Sequence, residues 1–227
     1  MITLCESWKT AYSDASVGIL VMKNVTNSGN SSGLSAVKDE LEESLRERYE
    51  GFERNDLKSM PVLEAYTSYY IQFKKTYHLL LQLESIVFKG KSIPSVAALV
   101  ECMFMAEMKN LLLTSGHDFD KVQEKISIRV SDGSESYVRY NNQDQVLKPG
   151  DMYICDEESI LSSIIYGPDS RTAIAADTTR VLFTVYGVPG IPVPAMDENL
   201  EDIRRYVEIV SPKAEVEELK VYTAGKE

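Results

Sequence analysis

Two strongly apolar stretches that flank a polar loop, within residues 159–187, constrain the fold of this chain more than any other feature. The first stretch, residues 160–165, consists of four large aliphatic residues and two serines. The second, residues 181–186, is apolar at five of its six positions. Runs of this kind indicate strands that are buried on both faces. We therefore expect two core strands joined by a turn at Gly167.

The loop between these stretches carries side chains suited to a functional site. Within four residues it holds Asp169, Arg171 and two hydroxyl groups. Loops positioned by a rigid scaffold are where binding and catalytic residues concentrate. We predict that Tyr166, Gly167, Asp169 and Arg171 line a concave pocket. The alternative is that Asp169 and Arg171 only pair with each other and brace the turn, which as a surface pair would contribute about 0–1 kcal/mol.

Helical periodicity dominates the first half of the chain. Residues 17–25 predict a buried strand, followed by a turn-forming loop at residues 26–33 and an amphipathic helix at residues 34–49. Pro61 is well suited to open a second helix, whose tyrosines we expect in the core. Residues 95–113 are strongly apolar and predict the central helix, packed on the sheet.

Strand periodicity begins near residue 125. Apolar and polar residues alternate over residues 126–131, which predicts a strand. The Asp-Gly pair at residues 132–133 then predicts a hairpin turn into a second strand at residues 137–140. Residues 152–155 predict a further short strand.

The C-terminal segment predicts a connector, a helix and a strand. Three prolines within residues 188–195 favour an extended connector that is neither helix nor inner strand. A helix should follow, capped by Asp197 or Asn199 and ended by Pro212. Residues 215–222 predict an edge strand.

These patterns together predict one α+β domain that spans residues 1–227. Residues 1–116 would supply a strand and most of the helices, and residues 117–227 a β-rich half with a closing helix. Because residues with helical period precede residues with strand period, a regular parallel βαβ order is not indicated.

Charge and cysteine content restrict the classes of function. The 227 residues carry a formal net charge of -11. Because cations that neutralise phosphates supply much of nucleic-acid affinity, we expect no DNA binding and no tight grip on duplexes, while contact with a single RNA end stays open. The three cysteines are widely spaced, so we expect no disulfide framework, metal or cofactor. No apolar run is long enough for a membrane span or a signal peptide, and we expect a cytoplasmic protein without a membrane partner.

The chain contains only two histidines, so few residues could act as a histidine general base or metal ligand. His78 lies in an apolar helical segment, where a structural role is expected. His117 lies at the predicted boundary between a helix and a loop, beside Asp118 and Asp120. It is the better candidate for a general base. The alternative is an exposed loop histidine without a catalytic role.

Three segments follow the order of a known sequence pattern. They are Gly-His-Asp-Phe-Asp-Lys-Val at residues 116–122, Ile-Ile-Tyr-Gly-Pro-Asp at residues 164–169 and Thr-Thr-Arg-Val-Leu-Phe-Thr at residues 178–184. With the apolar segment at residues 92–101, they resemble the tRNA-editing domain of the phenylalanine tRNA ligase (phenylalanyl-tRNA synthetase) beta subunit, its paired third and fourth modules. The resemblance covers about residues 60–187.

The resemblance implies a layered β/β/α sandwich with a pocket in which an aminoacyl ester at the tRNA 3′ end is hydrolysed. The family's pocket threonine, histidine, glycine and glutamate fall here on Met103, Ser115, Gly167 and Thr184. Only the glycine is kept, and His117 replaces the missing histidine if the loop shifts by two residues.

The candidate site follows from the loop and the resemblance together. The candidate catalytic residues are His117 and Asp169, with Glu101 as a further group that could activate water. The candidate substrate-binding residues are Ser115, Tyr166, Gly167, Arg171 and Thr184.

Two functions are compatible with these residues. The first is a free-standing hydrolase, an aminoacyl-tRNA deacylase, that acts in trans on mischarged tRNA. The chain lacks what amino-acid activation requires, so it is not a complete tRNA ligase. The second is a non-catalytic module that binds an amino-acid-like small molecule or an RNA acceptor end.

Overall fold

The computed structural model describes residues 2–27, 32–123 and 125–225. Within these ranges the chain forms seven α-helices and eleven β-strands. The helices are α1 (Glu6–Ala11), α2 (Ser32–Arg48), α3 (Arg54–Lys58), α4 (Pro61–Gln72), α5 (His78–Lys89), α6 (Ala98–Asn110) and α7 (Val193–Val210). The strands are β1 (Thr3–Leu4), β2 (Ser16–Lys23), β3 (Thr114–Asp118), β4 (Ser127–Val130), β5 (Ser136–Val138), β6 (Asp144–Val146), β7 (Met152–Cys155), β8 (Ile160–Ser163), β9 (Gly167–Pro168), β10 (Arg180–Gly187) and β11 (Glu215–Thr223). Of the loop expected at residues 26–33, residues 28–31 lie outside the described ranges.

Two sheets are stacked face to face, and helices cover one of them. The first sheet has the order β1-β4-β7-β8-β9, and the second, which is antiparallel, has the order β11-β2-β10-β3. One face of the second sheet meets the first sheet, where Ser115 Oγ lies 3.0 Å from Ser162 Oγ of β8. On its other face, a Cβ atom on Gly18 of β2 would lie 3.0 Å from Leu200 of α7. The layers are therefore sheet, sheet and helix, and the predicted β/β/α sandwich of α+β class is confirmed.

Helix α4 ties the two sheets together through buried tyrosines. Tyr66 donates its phenol proton to the Tyr186 carbonyl of β10, and Tyr70 donates to the carbonyl of Ile164, which follows β8. Tyr69 donates to the Asp151 carboxylate just before β7, at 3.0 Å. Buried phenols require such partners. These tyrosines are core residues, as the sequence pattern predicts.

The two apolar strands of the organising segment are both present, but they belong to different sheets. β8 lies in the five-stranded sheet and β10 in the four-stranded sheet. The turn occupies residues 164–166, and Gly167–Pro168 forms β9, which pairs with β8. The prediction of a turn at Gly167 is therefore wrong by a few residues. Gly167 has a φ of +81°, a left-handed conformation that favours glycine.

The hairpin predicted at residues 132–133 is wrong. β4 pairs with β1 and β7, and β5 pairs with β6. A local turn signal cannot report such long-range pairing. The sheets also use strands outside residues 125–187, since β2, β3 and β11 supply three of the four strands of the second sheet.

The C-terminal predictions hold except at the start of α7. The helix begins at Val193, so Pro192 occupies the N-cap position in place of Asp197 or Asn199. Pro194 lies in the first turn, where a helix can accommodate the missing N–H group. The helix ends before Pro212, and β11 is an edge strand as expected.

Membrane-spanning helices, metal-binding clusters and disulfides are absent among the described residues. No helix there is long and apolar enough to cross a membrane. No cluster of three or more histidine, cysteine, aspartate or glutamate side chains there is arranged to hold a metal ion. Cys5, Cys102 and Cys155 are free thiols.

The contribution of Asp151 to the free energy of unfolding should fall as the pH rises from about 4 to about 7. Burial raises the pKa of this carboxyl to about 7, compared with about 3.9 in an unfolded chain. Between these values the folded state holds the proton more tightly, so stability is lost with rising pH by an amount on the order of a few kcal/mol. Urea unfolding at several pH values should show this slope, and Asp151→Asn should reduce it. The exposed Asp177→Asn should leave the slope unchanged, and an equal slope in Asp151→Asn would contradict the assignment.

Candidate functional site

A cavity of about 500 Å³ opens between α6, the edge strand β3 and the turn that precedes β9. Its apolar wall is formed by Val96, Ala97, Val100, Met103, Phe104, Leu113, Ile164, Ile165, Pro168, Ala173 and Ile174. Its polar groups come from Tyr70, His78, Glu107, Thr114, Ser115, Arg139, Tyr140, Ser163, Tyr166 and Tyr186, and the glycines are Gly116 and Gly167. An apolar cavity with a few convergent polar groups is typical of a small-molecule site.

A line of hydrogen bonds runs from this cavity wall into the protein, and we call it the Ser115 relay. Ser115 Oγ lies 3.0 Å from His117 Nε2, and His117 Nδ1 lies 2.8 Å from Thr172 Oγ1. Thr172 Oγ1 donates to Asp169 Oδ1, and the Asp169 carboxylate also accepts the Thr172 N–H group. The His117 ring is fully buried, with Nδ1 3.7 Å from Asp169 Oδ1. The relay therefore connects a serine in the cavity wall to a buried carboxylate through an imidazole.

The carboxylate end of the relay sets the tautomer of His117. The Thr172 hydroxyl has one proton, which it donates to Asp169. Its oxygen must therefore accept a proton from His117 Nδ1. The neutral imidazole then presents an unprotonated Nε2 to Ser115, and this nitrogen can accept the Ser115 proton.

Two further hydroxyls surround Ser115 at the interface between the sheets. Ser162 Oγ lies 3.0 Å and the Tyr186 hydroxyl 3.3 Å from Ser115 Oγ. Ser162 and Tyr186 also share a short hydrogen bond with each other. Burial raises the pKa of Tyr186, so its phenol is a neutral donor at this position.

Glu107 places a carboxyl group in the cavity wall. Its Oε1 atom accepts the Thr114 N–H group at 2.7 Å. Burial raises the pKa of Glu107 to about 8, so the uncharged acid predominates at neutral pH. In that form the carboxyl can donate a hydrogen bond as well as accept one.

The structure brings part of the predicted site together. Ser115, Tyr166 and Gly167 lie in the cavity wall. His117 and Asp169 lie behind the wall and reach the cavity through Ser115. His117 lies in a strand and is fully buried, so neither the predicted helix-to-loop position nor the exposed-loop alternative is correct.

Three other candidates lie away from the cavity wall. Arg171 donates to Asp156 Oδ2 and to the Lys121 carbonyl, both at 2.7 Å, and it approaches Asp169 only at 3.8 Å. Thr184 is opposite Ser115 in the sheet but fully buried, and its Oγ1 has no hydrogen-bond partner among the described residues. Glu101 pairs with Lys38 at 2.7 Å.

Sequence reasoning missed one residue of the relay, Thr172. Thr172 joins His117 to Asp169, and its position three residues after Asp169 suits a side-chain turn. Ser115 and His117 lie two residues apart, a spacing that places both side chains on one face of a strand. That signal was available, but it depends on recognising β3 as a strand.

Comparison with known protein families shows to which family this chain belongs. A model of the B3/4 domain family matches residues 64–204. This range is more than half of the chain. The chain belongs to the B3/4 domain family. The matched range contains every residue of the cavity wall and of the Ser115 relay.

Two known proteins are similar to this B3/4 domain. The phenylalanine–tRNA ligase beta subunit of Mycoplasma genitalium is 28% identical over 69 residues, which are 30% of this chain and 9% of that protein. The crystal structure of an N-terminal fragment of the phenylalanyl-tRNA synthetase beta-subunit from Pyrococcus horikoshii matches with a TM-score of 0.50 and 11% identity, over 95% of this chain and 50% of that chain. The chain thus spans half or less of each relative, and the structural likeness concerns the fold alone. The resemblance to this beta subunit is confirmed.

Proposed function

We propose that this B3/4 domain is a free-standing aminoacyl-tRNA deacylase that binds the acceptor end of a mischarged tRNA and hydrolyses its ester in trans. The observation that carries the proposal is the Ser115 relay, which ends in the wall of a largely apolar cavity of about 500 Å³. The apolar wall suits an uncharged amino-acid side chain. The relatives are named as phenylalanine tRNA ligase subunits, which supports a role with tRNA.

The relay supplies the proton acceptor that ester hydrolysis needs. His117 Nε2 accepts the Ser115 proton, and the Asp169 carboxylate stabilises the imidazolium that forms. An aminoacyl ester is activated, so positioning and exclusion of water supply much of the remaining rate. Asp169 acts through Thr172 and His117 and does not contact the substrate.

Deacylation of a panel of misacylated tRNAs tests the proposal. We expect release of at least one amino acid whose uncharged side chain fits the apolar wall, and slower release of charged amino acids. A correctly folded protein that accelerates no ester of the panel would overturn the proposal.

RNA contact should depend on four lysines between the end of α4 and the start of α6, namely Lys74, Lys75, Lys89 and Lys91. Lys75 Nζ lies 5.8 Å from the ring centroid of Tyr166 at the cavity wall, and Lys91 lines a second cavity whose wall also contains His78. Replacing Lys74, Lys75, Lys89 and Lys91 together with glutamine should weaken tRNA binding without changing the binding of a free amino acid. Filter binding at two salt concentrations and calorimetry would measure the two affinities.

The matched control carries the same change of charge elsewhere, at Lys58, Lys125, Lys213 and Lys220. An equal loss of tRNA affinity in both variants would show that net charge alone sets the affinity. Tight, steeply salt-dependent binding to duplex RNA would contradict recognition of a single-stranded end.

A second function is a non-catalytic module that binds an amino-acid-like small molecule or an RNA end. In its favour, the positions where the resemblance implies a pocket threonine and a pocket glutamate hold Met103 and Thr184, and Thr184 is not among the residues that line the cavity. Binding of a free amino acid without any deacylation would favour this module.

A further inference from the structure

We propose that Ser115 is the nucleophile of this site and that the amino acid is transiently esterified to its Oγ atom. The inference rests on the proposed deacylase function and names the atom that attacks the ester. Ser115 is the member of the relay that lies in the cavity wall. His117 lies behind this wall with its Nε2 3.0 Å from Ser115 Oγ, so the attacking atom is the serine oxygen, and the imidazole exchanges protons only with groups held at that oxygen.

The geometry matches the arrangement that activates a serine. The nucleophile and the base are 3.0 Å apart, between Ser115 Oγ and His117 Nε2. The base is oriented by a third group, here the Asp169 carboxylate acting through Thr172. This order of nucleophile, base and acid recurs on unrelated folds and is recognised by distances and roles.

The surrounding hydroxyls leave Ser115 Oγ one lone pair for attack. When Ser115 donates its proton to His117, its oxygen has two acceptor positions. Ser162 and Tyr186 have one proton each, and one of these two protons is used in the bond between them. At most one proton is left to donate to Ser115. Among the described residues, one acceptor position of Ser115 Oγ is therefore without a donor, and Ser115 is one of the residues that line the cavity.

A backbone donor for the developing oxyanion lies beside Ser115. The N–H groups of Thr114 and Asp118 both donate away from β10, to Glu107 Oε1 and to the Thr172 carbonyl, each at 2.7 Å. Since N–H directions alternate along an antiparallel strand, the Gly116 N–H group points out from the same edge of β3. Gly116 itself lines the cavity. The N–H group that follows a nucleophile is well placed to stabilise a tetrahedral oxyanion.

The reaction proceeds in two steps, transfer of the aminoacyl group to Ser115 and hydrolysis of the acyl-serine. Ser115 Oγ attacks the carbonyl carbon of the aminoacyl ester while its proton moves to His117 Nε2. The bond from the carbonyl carbon to the ribose oxygen breaks, and the ribose oxygen takes the proton from His117. A water molecule then attacks the acyl-serine and gives a proton to His117. The bond to Ser115 Oγ breaks, and the serine regains its proton as the free amino acid leaves.

Covalent trapping on the full chain tests this inference. The wild-type protein is mixed with tRNA that carries a labelled amino acid and is quenched with acid before one turnover is complete. In a parallel sample it is treated with an aromatic sulfonyl fluoride, which loses fluoride to an activated serine. Peptide mapping should find both labels on Ser115. Ser163, which lines the same cavity without a contact to His117, is the internal control and should stay unlabelled.

Substitutions separate attack by serine from attack by water. Ser115→Ala should abolish both labels and slow deacylation at least about 100-fold, whereas Ser115→Cys should restore covalent trapping. Ser68→Ala, on the exposed side of α4, should behave like the wild type. Because labelling is measured on the wild-type protein, the test stands even if Ser115→Ala fails to fold.

The outcomes distinguish the two proposals. If Ser115 stays unlabelled and a folded Ser115→Ala variant still deacylates tRNA, the proposal of a serine nucleophile is overturned. The proposal of a deacylase then stands. Labelling of Ser115 by the sulfonyl fluoride, without deacylation of any tRNA, would support an activated serine and overturn the tRNA substrate. The absence of labelling and of deacylation would overturn both.

Discussion

Asp169→Asn should lower kcat for deacylation by about 100-fold or more while the chain stays folded. In the wild type, Asp169 accepts the Thr172 hydroxyl proton, so His117 carries its proton on Nδ1 and offers Nε2 to Ser115. The amide of asparagine can instead donate to Thr172. The Thr172 proton then turns to His117 Nδ1, and Nε2 becomes protonated and unable to accept from Ser115. A histidine held in the wrong tautomer loses most of its value as a base.

Measurements other than activity distinguish a change in the His117 tautomer from a loss of folded structure. Nitrogen NMR of the His117 ring should show the proton on Nδ1 in the wild type and on Nε2 in Asp169→Asn. Thr172→Val should also lower kcat, and Thr172→Ser, which keeps the hydroxyl, should restore it. The exposed Asp144→Asn serves as the matched carboxyl control. An unchanged tautomer together with an unchanged kcat in Asp169→Asn would contradict the relay.

The parts of the fold that the sequence predicts well are those set by local periodicity. The apolar run at residues 181–186 becomes β10, which is buried along nearly its whole length. The aromatic helix that begins at Pro61 places Tyr66, Tyr69 and Tyr70 in the core. In each case the spacing of apolar residues within one element determines which side faces the interior.

The candidate site was only partly predictable, because its geometry depends on contacts between distant elements. β3 has a polar sequence for a strand, and its partner β10 is distant in the chain. The sequence therefore could not show that His117 is buried or that Thr172 reaches it. The family resemblance implies that Gly167 and Ser115 belong to one pocket, and both residues line the cavity.

Glu101 is a buried carboxylate whose ion pair with Lys38 gives it a structural role. Apolar periodicity places it on the central helix, where it was a candidate for activating water. In the structure its side chain is 5% exposed and forms an ion pair with Lys38, which is 8% exposed. Lys38 Nζ also donates to Ser95 Oγ at 2.6 Å. The pair thus joins α2 to α6 in the interior.

Lys38→Met should lower the free energy of unfolding by about 3–5 kcal/mol, because it leaves the buried Glu101 carboxylate without its partner. The double substitution Lys38→Met with Glu101→Leu should recover most of this loss, since neither charge then remains buried. Urea unfolding, compared at constant m-value, would measure both changes.

The control for this prediction is an ion pair of similar length at the surface. Lys9 lies 3.0 Å from Glu6, whose side chain is 84% exposed. Water and salt screen such a pair, so Lys9→Met should change the stability by less than about 1 kcal/mol. A loss in Lys38→Met as small as in Lys9→Met would mean that water reaches Glu101. A loss that persists in the double variant would instead assign the effect to the lost hydrogen bond between Lys38 Nζ and Ser95 Oγ, because no unpaired charge would then be present.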